Sequence, residues 1–73
     1  MADLHHEAEA ADADMYRYHE AMSRGHERAA LAIEEAWGLV GYPPEIVSGV
    51  LFGVSQGQTV GDTLDALLDP EHP

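Results

Sequence analysis

Five histidines are the residues of this 73-residue chain best suited to holding a metal or moving a proton. His5, His6, His19 and His26 cluster near the start, and His72 stands at the end. A metal site needs neutral imidazoles and carboxylates converging from one face. His5 and Glu9 are four residues apart, and His19 and His26 seven. Neither an HExxH motif nor the Glu-x-x-His spacing of di-iron bundles occurs. The spacings describe a solvated helix surface, with a metal site arising only where two chains bring His19 or His26 together. Nucleophilic chemistry has less to work with. There is no cysteine, and Ser23, Ser48 and Ser55 stand in no nucleophile motif. Gly49, Gly53, Gly57 and Gly61 recur every four residues without a lysine, so they form no phosphate loop. At 49 and 53 they suit close helix packing. A core this small has no room for a substrate pocket of ~300 Å³. The expectation is a protein that is not an enzyme and uses no cofactor.

The elements that carry these residues read as helices throughout. Leu4, Ala8, Ala11, Met15, Tyr18, Met22, Gly25, Ala29, Ala32, Ala36 and Leu39 alternate spacings of four and three. That 3.5-residue repeat is the seam of a helix that meets another helix. Asp3 suits the start, and the pairs Asp14–Arg17 and Glu20–Arg24 stand at helical spacing. Gly25 keeps the seam register, which predicts one helix over 3–40, bent at Gly25. The alternative is two helices folded back there as a hairpin. Ala29, Ile33, Ala36, Trp37 and Val40 share a face, and Gly41 with Pro43-Pro44 stops the run.

A helix over 44–55 then begins at Pro44, with Ile46, Val47, Val50, Leu51 and Val54 facing inward. Thr59 with Asp62 caps a last helix over 60–69, which buries Val60, Leu64, Leu67 and Leu68 and ends at Pro70. Residues 1–27 therefore form a helical arm, residues 28–69 a three-helix bundle, and residues 70–73 a tail. The fold class is all-α. Apolar content supports the division. Large apolar residues number 6 in positions 1–30 and 16 in positions 31–68.

Charge excludes whole classes of partner. The net charge is −11, with 14 acids against three arginines and no lysine. Residues 1–28 hold all the arginines for a net of −4, and residues 29–73 hold no base for a net of −7. Such a surface cannot neutralise phosphates, so neither nucleic acid nor an anionic membrane is expected as a partner. No apolar run approaches the ~20 residues that span a bilayer, and the N-terminus does not read as a signal peptide. The chain is expected to remain in the cytoplasm or within a larger assembly.

Val40-Gly41-Tyr42 followed by Pro44-Glu45, then Val50-Leu51, and finally Thr59 through Leu67-Leu68 resemble the pattern of a ubiquitin-associated domain over residues 28–69. Val40 stands where that family has a loop methionine, and the turn Ser55-Gln56-Gly57-Gln58 is about two residues longer than usual. The resemblance implies a compact three-helix fold. It also implies a docking face at Gly41, Tyr42, Leu67 and Leu68, without implying ubiquitin itself as the partner.

Apolar residues on the wrong side of a helix complete the candidates. Phe52 points away from the Ile46–Val50–Val54 face, and Leu31 away from the Ile33–Trp37 face. Each either anchors a partner or is covered by the arm or a loop of the same chain. Tyr16 and Tyr18 offer an aromatic patch on the arm. The expected function is that of a small acidic interaction or assembly protein, an accessory subunit or minor virion component, docking on a protein partner or on itself. The alternatives are an acidic inhibitor of a basic protein site, and metal handling by the His/Glu-bearing arm.

Overall fold

The computed structural model describes residues 4–69 as four helices. These are α1 (Leu4–Arg24), α2 (Glu27–Trp37), α3 (Pro44–Ser55) and α4 (Val60–Leu68). Among the described residues there is no strand. Asp3, Pro70, His72 and the tail lie outside them, as do the side chains of Leu4 and His5.

Three of the four helices end in the same way. At Gly25, Gly38 and Gly57 the backbone takes φ of 71°, 70° and 96°. Each glycine N–H donates to the carbonyl three residues back, and the next N–H donates five residues back. The bonds to Met22 and Ala21, to Glu35 and Glu34, and to Val54 and Gly53 are those of a Schellman motif. A left-handed residue cannot continue a right-handed helix, and glycine adopts it without a Cβ penalty.

The first two of these motifs overturn the single helix expected over 3–40. Gly25 is a true end, and α2 folds back on α1 as a hairpin. Gly38, not Gly41, stops α2, three residues before the expected boundary. Val40, assigned to the inner face of that helix, is left exposed in the connection. Pro44 opens α3 at its first turn as expected, and the Thr59 hydroxyl accepts from the Asp62 N–H at 3.1 Å to cap α4.

Packing runs α2 on α1, α1 on α3, and α3 on α4. Extents of 35, 31 and 16 Å make a flat slab. α1 is therefore no projecting arm. Ala11, Tyr18 and Ala21 of α1 share one core with Ala30, Leu39, Val47, Val50, Leu51 and Val54. The inward face expected for α3 is the one observed. The outer half of the seam is not buried: Ala29, Ala32 and Ala36 are exposed, and α2 instead turns Ala30, Ile33 and Trp37 inward. On α4, Val60 and Leu64 pack against the core and Thr63 is buried, while Leu67 and Leu68 remain exposed.

Candidate protein-docking surface

Two hydrogen bonds lock α2 to α1 and so fix which face each presents. The Tyr18 hydroxyl donates to Glu34 Oε2 at 2.8 Å, and Trp37 Nε1 donates to Asp14 Oδ2 at 2.8 Å. Asp14 also accepts from Arg17 at 3.3 Å, and Arg24 pairs with Glu20 at 3.5 Å, the two pairs expected from their spacing. Burial, then the hydrogen bond to the Glu34 carboxylate and its charge, push the Tyr18 phenol up to about 12. The phenol thus stays a neutral donor at any ordinary pH.

Tyr18 is 1% exposed, which removes it from the expected docking residues. An α-helix sends residues two apart to different sides, so Tyr16 and Tyr18 cannot share a surface patch. Tyr16, at 71% exposure, takes the solvent side.

Glycine fixes the approach of α4 to α3. A Cβ at Gly53 would stand 2.6 Å from Thr63 Oγ1 and 2.8 Å from Gln58 Oε1, and would also strike the Thr63 methyl. A Cβ at Gly49 would stand 2.8 Å from Leu67 Cδ1. Close packing at 49 and 53 is therefore what these glycines do. It holds Leu67 against α3, while Leu67 and Leu68 both remain partly exposed.

The exposed apolar residues are spread over all four helices. Phe52 on α3 is 55% exposed and Leu31 on α2 is 42% exposed, so neither is covered by α1 or a loop. Met22 on α1 and Val40 join them, and neither was singled out from the sequence as a docking residue. The residues named by the ubiquitin-associated resemblance divide. Gly41, Leu67 and Leu68 are exposed, whereas Tyr42 is half-buried against the core.

Grooves lie between helices, not inside a core. One of about 410 Å³ separates α1 from the start of α3, between Met22, His19, Pro44 and Ser48. Another of about 450 Å³ runs between α1 and α2, floored by Ala21, Ala29, Ala32 and Ile33 and rimmed by Arg17, Glu20 and His26. The volume denied to this chain by its small core thus exists on its surface, open to solvent. A smaller hollow of about 290 Å³ along α4 and its C-cap is lined by Asp62, Asp65, Ala66 and Asp69.

His6, His19 and His26 are exposed, and among the described residues no three His, Asp or Glu side chains converge as metal ligands. No helix among them is long and apolar enough to cross a membrane. Comparison with protein-family models, with curated proteins and with solved structures finds no match to this chain.

Proposed function

We propose that this chain is a non-enzymatic helical interaction module that docks on a protein partner through exposed apolar side chains set in an acidic surface. The observation that carries the reading is Phe52. It stands 55% exposed on the outer side of α3, the helix whose opposite side gives Val47, Val50, Leu51 and Val54 to the core. A large aromatic held rigidly on a core helix and left in water is the type of anchor that dominates protein interfaces. Gly41, Leu67 and Leu68 supply a second candidate contact of the same kind.

The partner's contact surface carries Lys or Arg around an apolar recess. Support comes from the charge asymmetry: α3 and α4 present Glu45, Asp62, Asp65 and Asp69 with no base. The grouping of Asp62 and Asp65 on α4 with Asp69 at its C-cap also favours the second reading, an acidic inhibitor seated on a basic protein site.

The test is affinity capture from native lysate with wild-type chain and with Phe52→Asp. The wild type is expected to retain a defined partner that the variant loses, while circular dichroism and melting temperature stay unchanged. Equal capture by both, or unfolding of the variant, would overturn the reading. For the inhibitory reading, capture must weaken steeply as salt rises.

A further inference from the structure

We infer that the groove between α1 and α2 receives α2 of a second copy of this chain, running antiparallel. The inference rests on the interaction reading above but uses different residues, so the failure of one is distinguishable from the failure of the other.

The groove, about 450 Å³ and open to solvent, lies between two neighbouring helices. Its floor is Ala21, Ala29, Ala32 and Ile33. α2 is packed by α1 on one side, and Ala29, Ala32 and Ala36 face solvent. Those three alanines continue the 3.5-residue seam that α1 spends on α3. In α2 the same repeat is left in solvent, with no helix over it among the described residues.

Charge selects the occupant. All three arginines lie at positions 17, 24 and 28. Two copies meeting through α3 or α4 would set acid against acid. The α1–α2 side is where both signs occur, with Arg17 and Glu20 on the groove rim. Arg28 and Glu35 are exposed and make no ion pair among the described residues. They stand four residues before and three after Ala32, and so flank it on the helix surface. In the antiparallel register that packs Ala29 of one copy against Ala32 of the other, the flanking positions bring Arg28 of each copy to Glu35 of the other. A two-fold axis makes this pair twice. Positions that flank a seam set orientation in this way in paired helices. A parallel pairing would put the two copies of this flanking edge on opposite sides of the seam, where Arg28 and Glu35 do not meet.

The test is sedimentation of the full chain between about 1 and 100 micromolar, a span of about 2.7 kcal/mol in association free energy. The wild type is expected to form a dimer. Glu35→Arg is expected to weaken it about tenfold or more, since two attractions become two repulsions. The swap Arg28→Glu with Glu35→Arg is expected to restore it. Ala32→Glu, at an exposed position that folding does not need, is expected to give a monomer of unchanged helicity. Phe52→Asp is expected to leave the dimer intact. A wild type that stays monomeric throughout would overturn the inference. So would a dimer indifferent to Glu35→Arg, or one that the charge swap fails to rescue.

Discussion

Tyr18 and Glu34 face one another across the α1–α2 hairpin, the phenol donating to the carboxylate at 2.8 Å. One partner lies in the core and the other at its edge, so the bond ties the hairpin's interior to its surface. Tyr18→Phe removes the donor, keeps the ring, and leaves Glu34 half-buried without that bond. The expected loss is about 1 kcal/mol, read from urea unfolding.

Burial of this phenol, with the bond to Glu34 and its charge, makes stability fall at high pH. The folded phenol titrates at about 12 against an ordinary value of 10.0. A raised folded value means that the native state holds its proton more tightly. The stabilisation is complete below pH 10 and is lost as pH rises from 10 towards 12. Unfolding free energy measured across that window should decline in wild type and decline less in Tyr18→Phe. Identical slopes would show that folding does not raise the Tyr18 phenol.

Gly25→Ala separates a hairpin from a continuous helix by the sign of its effect. In a continuous helix, alanine gains about 1 kcal/mol over glycine. At φ +71° the Cβ instead costs roughly 1–2 kcal/mol. Thermal unfolding should show destabilisation.

Gly53 and Gly61 should respond in opposite directions to alanine. At Gly53 the new methyl meets Thr63 and Gln58, and the α3–α4 contact must open. Overpacking of this kind costs about 1–3 kcal/mol, more than the helix propensity regained. At Gly61 nothing stands within 4 Å, so alanine should add roughly 0.5–1 kcal/mol. Paired denaturation curves check both.

Leu51 and Phe52 are neighbours in sequence with opposite fates. Leu51 is fully buried and Phe52 is 55% exposed. Leu51→Ala is expected to cost about 2–5 kcal/mol and to unfold a domain this small. Phe52→Ala is expected to cost under about 1 kcal/mol. A comparable loss at both positions would place Phe52 in the core.

Local chemistry alone determined the helical class, the ion pairs of α1, the opening of α3 at Pro44, the cap at Thr59, the inner face of α3 and the outward aim of Phe52 and Leu31. Each depends on residues within one or two turns of one another. Tertiary structure decided where α1 goes. Gly25 preserves the seam register whether the chain runs on or folds back, and contacts distant in sequence, Tyr18 with Glu34 and Trp37 with Asp14, favour the fold-back. That choice buried Tyr18, left Ala29, Ala32 and Ala36 in solvent, and opened the α1–α2 groove. Leu67 and Leu68 were settled the same way. Gly49 and Gly53 draw α4 in through Thr63, and the rotation this imposes turns both leucines partly outward. A periodic pattern marks a face as apolar, but what covers that face is set by contacts far apart in the chain.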